Sequence, residues 1–195
     1  PVHTRRLAEA ASASGHRFLD TPISGASRMG ARGEGTIFVG GDAAVAEQCR
    51  PLFDAIARKT VHVGPAGAAS VAKLAANLIG GVSALALAEA LVLGAKSGVE
   101  PSVLCDALRQ TALISPGLAQ RGQFMVDHDF PPLIRLDLFA KDFRLMLEQG
   151  LHAGAPLPLT SVAHQLCMAT SAAGHGSEDL AAVITTLEHL AGIRS

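Results

Sequence analysis

Hydrophobic and polar positions give the chain two textures that meet near residue 64. Val2 to Ser14 is rich in Ala, Arg and Glu and stops at Gly15, which suits a helix with glycine just past its end. His16 to Asp20 reads as a short strand ended by Thr21-Pro22. Ser24 to Gly35 is a glycine-containing loop, and Thr36 to Val39 is a second strand closed by Gly40-Gly41. Asp42 is a good N-cap for a helix from Ala43 to about Ala57. Thr60 to Val63 is a third strand, which Gly64-Pro65 ends. Three short strands do not readily build a sheet with both faces covered, so residues 1–63 read as a piece of an α/β domain.

After Gly67 the pattern is helical throughout. A long apolar run, Ala68 through Gly98, comes first, and Glu100-Pro101 and Ser115-Pro116 each open a further helix with Pro in the first turn. Phe130-Pro131-Pro132 is a break, and Leu136 to about Leu151 is amphipathic. Pro156 and Pro158 lead into a helix ending near Ala173-Gly174, and Ser177 can cap a last one from Glu178 to Ala191. The expected fold is therefore mostly α: an α/β segment over 1–63, then an all-helical domain over 64–195 that begins with a long helix, 67–97.

Composition narrows the function. The chain has 195 residues, is 49% hydrophobic and carries a formal net charge of −1, with neither Trp nor Tyr. That balance argues against nucleic acid as a partner. Three scattered cysteines and eight scattered histidines form no metal-ligand pattern, and reduced thiols in a cytoplasmic protein are the expectation. Leu74 to Ala95 is long enough to span a bilayer. Glu89 within it, Asn77 near its start and its Ala/Gly content favour instead a helix buried all round inside a protein, with no membrane partner.

Two stretches carry candidate chemistry. Lys73 and Asn77 stand four residues apart, on one face of a helix and one turn apart. No other charged residue lies between Lys59 and Glu89. Lys73 is either solvated at a surface or desolvated; in the second case its pKa falls from ~10.4 toward neutrality and it can exchange a proton with a substrate hydroxyl or carbonyl. Ser24-Gly25 follows a strand, where backbone N–H groups can cradle an anion, although a plain loop has the same composition. Lys141-Asp142 by itself is a surface ion pair. Gly33-Glu34-Gly35 precedes a strand instead of following one, and Gly174-His175-Gly176 has no strand before it, so neither is a dinucleotide fingerprint.

In order along the chain, these stretches resemble the β-hydroxyacid dehydrogenase family, which includes 3-hydroxyisobutyrate dehydrogenase and tartronate semialdehyde reductase. Phe18-Leu19-Asp20-Thr21-Pro22-Ile23-Ser24-Gly25 is similar to that family's FLDAPVSGG, and Thr36 to Gly41 to its strand ending VGG. Gly64 through Lys73 and Asn77 resembles GxxGxGxxxKxxNN; Ala88 to Leu91 matches AEAL, Lys141-Asp142-Phe143 matches KDL, and Gly174 to Asp179 matches GxGxxD. Ala26 replaces the second glycine of SGG, Ala69 a glycine and Ala76 an asparagine, and Ile134 stands where an aromatic residue is common.

The resemblance implies the end of a Rossmann domain followed by a helical domain of the 6-phosphogluconate dehydrogenase type. It implies an NAD- or NADP-dependent oxidoreductase acting on a small 3-hydroxy acid or reducing the matching semialdehyde. Lys73 would be the general acid/base. Ser24, with the N–H groups of Gly25 and Ala26, would hold the substrate carboxylate, and Asn77 would orient the substrate. Lys141 would line the cleft near the nicotinamide with Asp142 supporting it, and the helical domain would form a homodimer or homotetramer. The family's GxGxMG turn has no counterpart here, so this chain by itself is expected to be a fragment with little or no activity. The alternative is a non-enzymatic helical dimerisation module of the same descent. An imine reductase is disfavoured by Lys73, which that branch usually replaces.

Overall fold

A computed structural model describes residues 1–25 and 32–193, which divide into two compact units, Pro1–Asn77 and Leu78–Ser195. The division between these two compact units falls inside the long helix.

The first unit opens with α1 (Val2–Ala13), and Gly15 at φ +74° stops it as expected. Four strands form one sheet: β1 (Leu19–Asp20), β2 (Ile23–Ser24), β3 (Thr36–Gly41) and β4 (Lys59–Gly64). β1 and β2 both lie antiparallel to β3, with Asp20 opposite Gly40 and Ser24 opposite Thr36. These pairs share one register, so β1 and β2 are a single edge strand interrupted at Pro22. Proline has no N–H to give the ladder, but its carbonyl still accepts from the Phe38 N–H at 3.0 Å. The strand therefore starts later than His16 and resumes beyond Thr21-Pro22, where the sequence predicts its end. On the other side β4 runs parallel to β3.

The crossover from β3 to β4 is two helices, α2 (Ala43–Gln48) and α3 (Arg50–Ile56), where the sequence predicts one from Ala43 to Ala57. Pro51 is the reason: lacking an N–H, it cannot bond the carbonyl one turn back, and the chain restarts at Cys49. Asp42 caps α2 as predicted, accepting the Val45 N–H at 2.9 Å. Ile37 and Val39 point to one side of β3 and bury with Phe53 and Ala57 against this helix pair. Gly40 points to the other side. A Cβ there would lie 2.9 Å from the Pro65 carbonyl oxygen and 3.0 Å from the Ala69 nitrogen, so only glycine lets the next helix start against the strand.

That helix, α4 (Ala68–Lys96), runs on into the second unit. There follow α5 (Pro101–Arg109), α6 (Pro116–Asp127), α7 (Leu136–Ala153), α8 (Pro158–Thr170), a π-turn at Ser171–His175, a 3-10 turn at Leu180–Ala182 and α9 (Val183–Leu190). α4 is long and apolar enough to cross a membrane by length and composition. It is not buried all round, as the sequence suggests. Within the second unit Gly81, Ala84, Leu85, Ala88 and Leu91 form one buried stripe, while Ile79 and Leu93 are 67% and 68% exposed. Gly81 admits α7, since a Cβ would meet the Phe143 ring at 2.6 Å.

Asp179, fully buried, ties the end of the chain to the middle. Its Oδ1 accepts from Arg121 Nε (2.9 Å) and the Ala181 N–H (3.0 Å), and its Oδ2 from the Leu133 and Ile134 N–H groups (both 3.1 Å). The cap of the final helical segment is thus Asp179, two residues beyond the expected Ser177, because only a carboxylate can accept four donors at once.

Candidate active site

α4 begins without a capping side chain of its own, since Gly64-Pro65-Ala66-Gly67 offers none. Its early N–H groups are satisfied instead by the Pro65 carbonyl, which takes Ala68 N–H at 3.0 Å, and by a carboxylate from the sheet. Asp20 at the end of β1 accepts the Ser70 N–H at 2.8 Å through Oδ2 and the Ser70 hydroxyl at 2.9 Å through Oδ1. Thr4 Oγ1 of α1 lies 3.1 Å from the same hydroxyl. Three elements therefore meet at Ser70.

Lys73 follows Ser70 by about one turn and Asn77 by about two, and both are half-buried. Ser24 is half-buried in β2, and Gly25 after it has φ +141°, a conformation that side chains disfavour. Asp20, Pro22 and Ser24 alternate onto one face of the edge strand, the face that also carries Thr36 and Gly40. The first unit thus brings Ser24 onto the strand that fastens the Lys73 helix. Ala26 lies outside the described residues.

Lys141 and Asp142 belong to the second unit, in the first part of α7. Lys141 Nζ sits 2.9 Å from Asp142 Oδ1; the lysine side chain is half-exposed and the carboxylate largely covered. Adjacent helical residues point apart, so the pair depends on the lysine stem folding back. Among the described residues no group of three or more His, Cys, Asp or Glu could hold a metal ion. Sequence reasoning passed over Asp20 as a site residue. Its position in FLDTPISG was visible, but nothing local says that an aspartate in a strand caps a helix 50 residues later.

An α/β unit followed by an all-helical unit, with a lysine and an asparagine one turn apart near the start of the long helix, is the build of two-part NAD(P)-linked dehydrogenases. Residues 67–187 match the family described as "NAD-binding of NADP-dependent 3-hydroxyisobutyrate dehydrogenase", and residues 1–64 that described as "NAD binding domain of 6-phosphogluconate dehydrogenase". The chain belongs to the β-hydroxyacid dehydrogenase family. It is 35% identical over 194 residues to 2-(hydroxymethyl)glutarate dehydrogenase of Eubacterium barkeri, covering 99% of this chain and 64% of that protein. It is 39% identical over 181 residues to L-threonate dehydrogenase of Cupriavidus necator, covering 92% and 60%. A solved 3-hydroxyisobutyrate dehydrogenase of Mycobacterium tuberculosis with L-serine superposes with a TM-score of 0.85 at 31% identity, covering 94% of this chain and 65% of that one. The chain thus spans under two thirds of the length of these relatives. The matched families support NAD or NADP as the cofactor.

Proposed function

We propose that the whole protein is an NAD(P)-dependent oxidoreductase that oxidises a small 3-hydroxy acid or reduces the matching semialdehyde. The observation that carries this reading is the placement of Lys73 and Asn77, half-buried one turn apart, on a helix fastened to the strand that bears Ser24. The named activities of the relatives, on hydroxymethylglutarate and threonate, support a hydroxy acid as the substrate class.

In the oxidising direction Lys73 Nζ, as the neutral amine, takes the proton of the substrate hydroxyl; in the reducing direction it returns that proton to the forming alcohol. Ser24 Oγ and the N–H groups of Gly25 and Ala26 hold the substrate carboxylate, and Asn77 orients the reacting carbon from one turn along the helix. When bound, NAD or NADP supplies the hydride acceptor or donor. Among the described residues no turn between a strand and a helix carries the GxGxxG fingerprint of a pyrophosphate cradle: Gly33-Glu34-Gly35 leads into β3, and the turns after β3 and β4 read Gly40-Gly41-Asp42 and Gly64-Pro65-Ala66-Gly67. The contact this chain offers to the nicotinamide end is Lys141, held by Asp142. In the same reading the exposed apolar residues of α8, Leu159 and Val162 among them, serve a homodimer or homotetramer contact.

Lys73→Ala in the whole protein is expected to lower kcat by about 100-fold or more with the fold retained, judged by circular dichroism. Near-normal turnover would remove Lys73 from the mechanism. For these 195 residues alone, calorimetric titration with NAD and NADP is expected to give no micromolar binding; a micromolar Kd would show that a turn without the fingerprint holds the dinucleotide.

A further inference from the structure

We propose that Asp20 is a positioning residue, its carboxylate clamping the first turn of the Lys73 helix to the strand that carries Ser24. This rests on the dehydrogenase reading above and adds to it a residue that touches neither substrate nor cofactor. Asp20 is 8% exposed and spends both oxygens on one residue, Ser70, whose N–H lies 2.8 Å from Oδ2 and whose hydroxyl lies 2.9 Å from Oδ1. Charge-assisted bonds of this kind are the stronger sort, and a two-point attachment fixes rotation as well as distance.

The geometry makes the clamp more than a helix cap. An ordinary cap comes from the residue just before the helix and leaves the helix free to move with its own leader. Here the acceptor comes from a strand 50 residues earlier. Ser24 stands four residues beyond Asp20 on the same strand face, roughly 13 Å along it, and Lys73 stands three residues beyond Ser70, about 4.5 Å along the helix. The proton-transferring group and the carboxylate-binding group are therefore both measured from one bonded point. Gly40, opposite Asp20 in register, lets Ala69 close against the strand and makes that point rigid. Thr4 steadies the Ser70 hydroxyl from α1. Losing the clamp lets Lys73 drift relative to the bound acid, and a misplacement of about 1 Å costs about 100-fold in rate.

The test uses the whole protein with Asp20→Ala, Asp20→Asn and Ser70→Ala. Asp20→Ala is expected to lower kcat on a 3-hydroxy acid by about 100-fold with KM changed less than about threefold. Asp20→Asn, which keeps an oxygen for the Ser70 N–H, should recover part of that loss. Ser70→Ala, which keeps the N–H bond and gives up the hydroxyl, should cost less than Asp20→Ala. A lowered Tm with kcat unchanged in all three would overturn the proposal. If Asp20→Ala does not fold, unchanged kcat in the other two overturns it equally. Hydrogen exchange at the Ser70 amide and the pH profile of Lys73 acetylation are read in parallel on the wild type and Asp20→Asn. A wild type that turns over no hydroxy acid defeats the dehydrogenase reading, and the clamp is then judged on these two readouts. Faster Ser70 exchange with a shifted Lys73 profile supports it, and profiles identical to wild type sink it.

Discussion

Where the first unit buries Ile37, Val39, Phe53 and Ala57 between one sheet face and a broken helix pair, the second encloses a carboxylate, Asp179, among four donors at the convergence of α6, the loop after it and the 3-10 turn before α9. The first holds its core by apolar burial and places its polar fastening, Asp20 on Ser70, at the edge of the sheet. The second places its polar fastening at the centre, with Arg121 also lying 5.6 Å over the Phe139 ring. A fastening at an edge can be tuned for chemistry without dismantling the core. One at the centre cannot, because each donor it satisfies would otherwise be buried and unpaired.

Asp179→Ala tests the larger half of that contrast. It leaves Arg121 buried without its partner and strands two loop N–H groups, so a loss of about 3–5 kcal/mol is expected. Urea unfolding followed by circular dichroism measures it, and a loss below about 1 kcal/mol would mean that the second unit does not depend on its ionic centre. Phe53→Ala is the counterpart in the first unit, expected to cost about 3 kcal/mol through lost burial and an unfilled cavity. The same denaturation measures it, and a negligible change would mean the helix pair is not what holds β3.

The thiols sharpen the comparison with a smaller effect. Burial pushes the Cys167 thiol up to about 12 from 9.0, and it raises Cys105 as well, with Arg109 opposing. Both lie in the second unit, whereas Cys49 in the first is half-exposed. At pH 8 a thiol reagent should titrate Cys49 rapidly and the other two only after unfolding. The sign follows from a raised folded-state value: the stability tied to the protonated Cys167 is whole below pH 9 and is lost as pH rises from 9 toward about 12. Three equally fast thiols at pH 8 would show that the second unit's interior is open.

Local chemistry made much of the fold legible. Gly15, Asp42, Ser115 and the prolines at 101, 116 and 158 mark helix ends by what their own backbones can do, and the helices start and stop there. Pro51 was equally visible, but its neighbours' helical pattern masked the break. The face alternation that continues through Pro22 was hidden because a strand is recognised by its partner, and β3 lies beyond the loop. In the candidate site, the one-turn spacing of Lys73 and Asn77 was legible. The fastening by Asp20 there, and that by Asp179 in the second unit, was not, because each acts on residues about 50 positions away. Ser177 offers itself as the last cap in the sequence for the same reason: a cap is chosen by the donors that surround it.

The separation between Asp20 and Ser70 also bears on the order in which the first unit assembles. Closing a loop of 50 residues costs roughly 3.5 kcal/mol of chain entropy plus a constant, which a first charge-assisted bond of about 1.5–3 kcal/mol does not offset at the outset. The contact cannot start folding; it forms once β3 and β4 have brought the ends of that loop together. It is a late latch, absent from the folding nucleus. Weakening it hastens unfolding and leaves the folding rate nearly untouched.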